Sequence, residues 1–227
     1  MPEAAWIQQT RQSYDRVAAD YAELLADELD SKPFDRAILT TFAQMLPAPV
    51  AEVPSVVVDI GCGPGRIVGF LGTLGLDPLG IDLSPAMIDQ ARARHPQFRF
   101  EVGSMLNLEL PDSSVDGLLA WYSIIHLPPA ELPGAIEEFA RVLAPGGLAL
   151  LAFQARERDV RLEHGYGHSL QLDNFERRPD RVVELLEAAG LSPEIQALRA
   201  PEGWEKTPQS YLLARKGRGP ISDPGLG

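Results

Sequence analysis

The sequence predicts an α/β fold built on a doubly wound, mostly parallel β-sheet that ends in an antiparallel strand. A β-branched run from Val56 to Ile60 follows a proline-rich stretch and is typical of a buried strand. From there, strand-like and helix-like segments alternate along the chain, which favours a parallel sheet. The first fifty residues carry apolar side chains at helical spacing, so helices are expected ahead of the sheet.

The N-terminal helices are predicted from two apolar stripes. The residues of the first stripe are Ile7, Tyr14, Val17, Tyr21 and Leu25, and those of the second are Phe34, Ile38 and Phe42. We expect residues 1–50 to be helical. Prolines at positions 47, 49 and 54 bracket a linker that cannot continue a helix.

The core is expected over residues 55–215. Its predicted strands are 56–60, 79–82, 98–102, 115–121, 148–153, a run near Ile195, and 211–214. Four helices are predicted between these strands. The first runs through Phe70, and the second begins at Ser84-Pro85. The third carries the apolar residues Leu132, Ile136, Phe139 and Leu143, and the fourth carries Val182, Val183, Leu185 and Leu186. The last helix should stop at Gly190, because glycine commonly ends helices.

Composition limits the classes of function. The chain has 227 residues and 45% hydrophobic content, which suits one domain over 1–227, with a loose tail at 216–227. Twenty basic and 32 acidic residues give a net charge of −12, so nucleic acid and anionic membranes are not expected partners. No leader or membrane span is recognisable, so a cytoplasmic monomer or homodimer is expected. With a single cysteine, Cys62, neither a disulfide nor a metal site is expected.

The strongest functional signal is a strand that ends in an acid and enters a glycine-rich turn, Asp59-Ile60-Gly61-Cys62-Gly63-Pro64-Gly65-Arg66. Glycines there let the backbone approach a ligand closely. The spacing differs from the dinucleotide fingerprint G-x-G-x-x-G, because the third glycine comes early and Arg66 takes the sixth position. Asp59 would repel a pyrophosphate and suits a ligand that carries an ammonium group.

A second acid, Asp82, ends the next predicted strand. Its carboxylate is placed to accept hydrogen bonds from both hydroxyls of a ribose. The two acids and three glycines together indicate a nucleoside ligand with a positive charge.

These residues resemble the class I methyltransferases that depend on S-adenosylmethionine (SAM), over roughly residues 56–214. The segment 59–65 is similar to their first motif, 80–87 (Gly-Ile-Asp-Leu-Ser-Pro-Ala-Met) to their second, and 141–147 (Arg-Val-Leu-Ala-Pro-Gly-Gly) to the turn before their fifth strand. The resemblance implies a Rossmann-like fold, SAM as cofactor and S-adenosylhomocysteine as product.

The resemblance also implies a set of cofactor contacts. The three glycines of the turn would lie under the amino-acid part of SAM, while Leu83 and Met87 would flank adenine. The early pattern Tyr-Asp-x-x-Ala-x-x-Tyr resembles a lid that reaches the cofactor carboxylate, which implies that the helical residues 1–50 form this lid. Many relatives carry Gly-Asp after the third strand, but this chain has Gly103-Ser104, which leaves a backbone contact near Met105. The expected contacts are Tyr14, Tyr21, Asp59, Gly61, Cys62, Gly63, Gly65, Arg66, Asp82, Leu83, Met87, Gly103, Ser104, Met105 and Trp121.

Several of these residues have an ordinary structural interpretation as well. Tyr14 and Tyr21 lie seven residues apart and could simply pack, and Met87 could fill a gap in the core. Arg66 could pair with the cofactor carboxylate or lie solvated on its helix. Cys62 is interpreted as a small buried residue without chemistry.

The acceptor side of the site is expected around Tyr122 and His126, which follow the fourth strand at the carboxyl edge of the sheet. Both are candidate catalytic and substrate-binding residues; His126 is a general base or a structural histidine. The polar segment 154–178 is interpreted as an insertion that forms a substrate lid, with Tyr166 and His168 as contacts, or as a plain surface loop.

The predicted function is methyl transfer from SAM to a small-molecule acceptor by in-line displacement at an undetermined O, N, S or C atom. A hydroxyl acceptor would make His126 or Tyr122 relevant, whereas an unprotonated nitrogen or a thiolate needs no base. Two alternatives are a noncatalytic SAM-binding or scaffold protein and a nicotinamide-dependent oxidoreductase. Asp59 and Arg66 disfavour the oxidoreductase, which requires a pyrophosphate turn.

Overall fold

A computed structural model of the chain describes residues 4–46 and 55–218. The predicted linker around Pro47, Pro49 and Pro54 and the tail beyond residue 218 lie outside the described residues. The α-helices are α1 Ala5–Leu24, α2 Pro33–Met45, α3 Arg66–Thr73, α4 Pro85–Arg94, α5 Leu132–Val142 and α6 Pro179–Ala188. The strands are β1 Val56–Ile60, β2 Asp77–Asp82, β3 Arg99–Val102, β4 Val115–Trp121, β5 Leu143–Gln154, β6 Val160–Gly165, β7 His168–Asn174, β8 Leu191–Arg199 and β9 Gln209–Lys216. Two 3₁₀ turns cover Glu28–Ser31 and Ile124–His126.

Seven strands form one sheet in the order β3-β2-β1-β4-β5-β9-β8. The pairs among β1 to β5 are parallel, whereas β9 is antiparallel to both β5 and β8. The predicted mostly parallel sheet with antiparallel C-terminal pairing is thus confirmed. Because the strand order reverses at β1 and β4, a crevice opens there at the carboxyl ends of the strands.

Apolar side chains alternate between the two faces of the central strands. Val58 and Leu118 pack with Ile136 of α5 on one face, and Val57 and Leu119 pack with Phe42 of α2 on the other. The sequences of these strands are therefore almost continuously hydrophobic, as expected for strands buried on both faces.

Three predicted boundaries differ from the structure. Leu143, assigned to a helix, begins β5, which is longer than the predicted 148–153. The early part of β5 was not predicted because it contains glycines at 146 and 147, which are uncommon inside strands. The pairing of this part with β4 is also irregular. β2 begins at Asp77, and β9 continues to Lys216, which was assigned to the tail.

The segment 154–178 contains a β-hairpin formed by β6 and β7, which we call the hairpin. Tyr166 and Gly167 form its turn with φ of 55° and 79°, values typical of a tight two-residue connection. The interpretation of this segment as too polar for the core is wrong at Leu170 and Leu172, which are 3% and 2% exposed and pack with Val17 of α1. Polar residues of the outer face alternate with these leucines along the strand, so the segment has a polar composition overall although its inner face is apolar.

Hydrogen bonds also join the hairpin to α1. Arg16 Nη1 donates to the backbone oxygen of Ser169 at 2.7 Å, and Gln9 Nε2 donates to that of Gln171 at 2.8 Å. Ser13, which is buried, also bonds the backbone of Gln171. The first helix and the hairpin therefore form one continuous wall.

Candidate active site

The glycine turn after β1 places bare backbone at the crevice. Gly61 has φ of 75°, and a Cβ built on it would lie 2.2 Å from Cβ of Ser123. The amides of Gly61 and Cys62 donate to the backbone oxygen of Ile81 at 2.7 and 3.0 Å, which ties the turn to β2. Gly65, with φ of 83°, is the N-cap of α3. Only glycine adopts these conformations at low cost, so the turn requires its glycines.

Asp59 is the penultimate residue of β1 and has a buried carboxylate. Its residue is 1% exposed, and neither carboxylate oxygen has a hydrogen-bond partner among the described residues. Burial raises the pKa of Asp59 to about 7; Arg66 opposes this shift and Asp82 adds to it. An unpartnered buried carboxylate is costly unless a ligand supplies donors or positive charge. The feature therefore fits a cationic ligand.

Asp82 lies at the end of β2 and lines the crevice. Its Oδ2 accepts from the amide of Gly63 at 2.8 Å and its Oδ1 from the amide of Ser84 at 2.8 Å. Burial raises the pKa of Asp82 to about 6, and these amides counteract the shift. Each oxygen keeps a lone pair, so the carboxylate can accept two further hydrogen bonds from vicinal hydroxyls.

A cleft extends from the glycine turn along the strand ends, and we call it the cofactor cleft. Residues on its sheet side are Ile60, Gly61, Gly63, Asp82, Leu83, Met87, Gly103, Ser104, Met105, Trp121, Tyr122, Ser123, His126 and Leu127. α1 closes the opposite side with Trp6, Ile7, Thr10, Tyr14 and Tyr21. Most of the predicted cofactor contacts therefore meet in one place.

Sequence reasoning missed part of the α1 side. Ile7 was assigned only to a packing stripe, and Trp6 and Thr10 were not considered. Asp15, inside the recognised Tyr-Asp-x-x-Ala-x-x-Tyr pattern, also has a role: its Oδ1 accepts from Ser84 Oγ at 2.5 Å and from the amide of Ala86 at 3.2 Å. This contact fixes α1 on the start of α4.

Four predicted contacts do not line the cofactor cleft: Asp59, Cys62, Gly65 and Arg66. The Cys62 side chain packs with Phe100 in a separate apolar cluster, where burial raises its pKa. A Cβ on Gly65 would also meet Phe100, at 2.9 Å. Arg66 is neither solvated nor in the cofactor cleft; its Nη1 lies 3.0 Å from Oε2 of Glu28.

Tyr14 and His126 form a buried pair. Nδ1 of His126 lies 3.0 Å from the backbone oxygen of Asp173, which can only accept, so Nδ1 carries the proton. Nε2 therefore accepts from the Tyr14 hydroxyl, at 2.6 Å. Burial lowers the pKa of His126 to about 4 and raises that of Tyr14. His126 is thus neutral at pH 7 and bonded through both ring nitrogens.

A larger cavity of about 830 Å³ adjoins the cofactor cleft, and we call it the adjoining cavity. Tyr14, Tyr21, Tyr122 and His126 line both spaces. The hairpin forms one wall of the cavity, where the Tyr166 ring packs against that of Tyr21 with centroids 5.0 Å apart.

His168 and Tyr122 are placed differently from Tyr166. Nε2 of His168 bonds Oδ2 of Asp20 at 2.6 Å, and His168 lines neither space. The Tyr122 hydroxyl lies 3.3 Å from that of Tyr211, which donates to Asp35 Oδ1 at 2.6 Å. Burial raises the pKa of Tyr122, so its phenolate form is disfavoured.

Within residues 4–46 and 55–218, no group of three or more His, Cys, Asp or Glu side chains could hold a metal ion. None of the helices in the same ranges has the length and apolar character needed to cross a membrane.

The fold is α/β, and its cleft suits a cationic nucleoside. Comparisons with known proteins show which of them the chain is similar to. Residues 57–147 match a family model described as a methyltransferase domain. The biotin biosynthesis bifunctional protein BioHC of Cellvibrio japonicus is 31% identical over 161 residues, 70% of this chain and 31% of that protein. A probable SAM-dependent methyltransferase of Mycolicibacterium smegmatis is 30% identical over 141 residues, 61% of this chain and 52% of that protein. The matches span between about a third and about half of these relatives.

A solved structure shares the fold over almost the whole chain. Magnesium protoporphyrin IX methyltransferase of Synechocystis PCC 6803, solved with bound SAM, has a TM-score of 0.71 and 16% identity, covering 96% of this chain and 100% of that one. Residues 57–147 thus match a methyltransferase domain, and similarity to a SAM-dependent methyltransferase supports SAM as the cofactor.

The raised pKa values of Asp59 and Asp82 predict proton release when SAM binds. Below pH 6 the free protein holds protons on both carboxyls, whereas contact with a cation and hydroxyls favours the ionised forms. SAM affinity should therefore rise as pH increases through about 6 to 7 and level off above. Calorimetry at pH 6 in two buffers of different ionisation enthalpy should detect the released protons, and Asp59→Asn should reduce their number. A pH-independent affinity with no release would contradict this assignment.

Proposed function

We propose that this chain transfers the methyl group of SAM to a small-molecule acceptor held in the adjoining cavity. The observation that carries the proposal is the shared lining of Tyr14, Tyr21, Tyr122 and His126 between the cofactor cleft and that cavity. A donor in one space and an acceptor in the other would meet at these side chains. Such juxtaposition supplies much of the rate in group transfer.

The chain's residues fit SAM on physical grounds. Asp82 would hold the ribose hydroxyls, the bare backbone at Gly61 and Gly63 admits close approach, and Asp59 provides negative charge. When bound, SAM supplies an activated sulfonium methyl group. α1 and the hairpin would exclude water, with Tyr166 contributing to the wall and His168 holding the hairpin to α1 through Asp20.

Tyr14 and His126 provide a route for a proton when the acceptor is a hydroxyl. Nε2 of His126 is the proton acceptor of the pair, and both Tyr14 and His126 line the cofactor cleft and the adjoining cavity. An acceptor proton can pass to the Tyr14 oxygen as the phenol proton passes to Nε2. Tyr122 is a poorer candidate for a base, because its hydroxyl lies beside that of Tyr211, whereas the Tyr14 hydroxyl bonds a histidine nitrogen that can take up its proton.

The proposal is tested by screening acceptors for release of S-adenosylhomocysteine. The screen should include alcohols, amines, thiols and carboxylates, with the variant Asp82→Asn as a control for turnover that depends on the cofactor cleft. Cofactor binding without product release from any acceptor would favour the noncatalytic alternative. Tight binding of NADH instead of SAM would restore the oxidoreductase alternative.

Replacing Tyr14 by phenylalanine should separate catalysis from cofactor binding. The change keeps the ring but removes the hydroxyl that bonds Nε2 of His126. With a hydroxyl acceptor from the screen, turnover should fall at least tenfold, which corresponds to about 1.4 kcal/mol of transition-state stabilisation. SAM affinity, measured by calorimetry, should change less than threefold. Unchanged turnover would remove the pair from the reaction.

A further inference from the structure

The lining of the adjoining cavity includes a cation without an acidic partner, Arg156. The Nε and Nη2 groups of Arg156 donate to Oε1 of Gln154, and no carboxylate lies within ion-pair distance of Arg156 among the described residues. Partial burial disfavours its charged form and lowers its pKa from the ordinary value. By contrast, Arg66 and Arg199, which are also largely buried, are paired with Glu28 and Glu205. Arg156 therefore retains N–H donors and charge for a ligand.

A second polar group in the same cavity wall lacks a partner. Asn174 is 4% exposed, and its buried Oδ1 has no hydrogen-bond partner among the described residues. Buried amides are ordinarily hydrogen-bonded, so an unpartnered Oδ1 on a residue that lines a cavity indicates a site for a ligand that carries a donor. The amino group of the same amide offers two N–H donors, which can supplement a guanidinium in binding a carboxylate.

Apolar side chains form a large part of the cavity lining, alongside charged and polar groups. Ile125, Leu162 and Leu170 line the cavity, and two further apolar lining residues are strongly exposed, Leu24 at 67% and Trp204 at 68%. Exposed apolar side chains that line a cavity favour an apolar ligand surface beside them. The cavity thus offers both a cation without an acidic partner and apolar side chains that reach solvent.

We propose that the adjoining cavity binds an amphipathic small molecule with a single carboxylate, held by Arg156 and Asn174, and an apolar body directed toward Leu24 and Trp204. A ligand with one negative charge suits the cavity better than a dianion, because acids also line it, including Glu28 and Asp35. The identification of this molecule as the methyl acceptor rests on the function proposed above. The preference of the cavity for a carboxylate is independent of that function.

Calorimetry with matched probes tests the inference. Octanoate is compared with octanamide, and phenylacetate with phenylacetamide, on the protein saturated with S-adenosylhomocysteine. Each carboxylate should bind at least tenfold more tightly than its amide. In Arg156→Gln the preference for carboxylate over amide should fall below threefold, because the uncharged glutamine side chain can hydrogen-bond either probe but has no charge to attract the carboxylate. The matched control Arg158→Gln removes the same charge from an exposed position two residues away and should keep the preference.

Equal affinity for carboxylate and amide in the unaltered protein, or millimolar probes failing to bind at all, would overturn the inference. A preference that persists in Arg156→Gln, or that is lost equally in Arg158→Gln, would also overturn it. Affinity for S-adenosylhomocysteine, measured in a separate titration, reports on the cofactor cleft. Failure of the carboxylate preference is thereby distinguished from failure of the proposed methyl transfer.

Discussion

Replacement of Gly61 by alanine is expected to lower the free energy of unfolding by about 3 kcal/mol. A non-glycine residue in the left-handed region costs about 1 to 2 kcal/mol, and inserting a methyl group into a filled space costs about 1 to 3 kcal/mol. Both costs apply, since φ is 75° and the new Cβ would lie 2.2 Å from Cβ of Ser123. Urea denaturation of the two proteins measures the difference.

The chain offers a control that separates the two costs. Gly75 has φ of 85°, and nothing lies within 4 Å of a Cβ built on it. Gly75→Ala should therefore show only the conformational cost of about 1 to 2 kcal/mol. Adding Ser123→Gly to Gly61→Ala should recover part of the stability. Equal losses in the two alanine variants would show that Ser123 does not restrict the turn.

The variant Asp82→Ala should bind SAM about 10- to 100-fold more weakly, a loss of about 1.5 to 3 kcal/mol. A carboxylate that accepts from ribose hydroxyls forms charge-assisted bonds. The same carboxylate accepts from the amides of Gly63 and Ser84, so its removal also loosens the glycine turn. Calorimetric titration with SAM measures the effect, with circular dichroism to verify folding.

Asp77 provides the matched control for this experiment. It lies at the other end of β2 with a largely exposed carboxylate, 3.9 Å from Arg99. Asp77→Ala removes the same group from the same strand and should leave SAM affinity within twofold. Unchanged affinity in a folded Asp82→Ala protein would show that Asp82 serves only to end its strand.

Elements whose bounds depend on contiguous residues were predicted correctly from the sequence. β1 and β4 were predicted with their observed bounds, since each is a buried apolar run with clear flanking signals. The opening of α4 was recognised because Ser84 caps the helix and Pro85 begins it. Asp59 and the glycine turn were found for the same reason, because strand, acid and glycines are contiguous in sequence.

Contacts between distant residues were not predictable in this way. The Tyr14–His126 bond joins positions 112 residues apart, and the Asp15–Ser84 bond joins positions 69 apart. No local pattern encodes such pairs, because they depend on where α1 lies on the sheet. The lack of an acidic partner for Arg156 likewise depends on which side chains the fold brings close to it.

The wall formed by α1 and the hairpin has a consequence for the timing of ligand exchange. α1 covers the cofactor cleft and the hairpin covers the adjoining cavity, while bonds such as Arg16 to Ser169 fasten the two together. A displacement of either element that admits or releases a ligand therefore moves the other. Cofactor and acceptor compartments should open in a single event, so that both products depart in the same opening and neither compartment is refilled while the other stays closed.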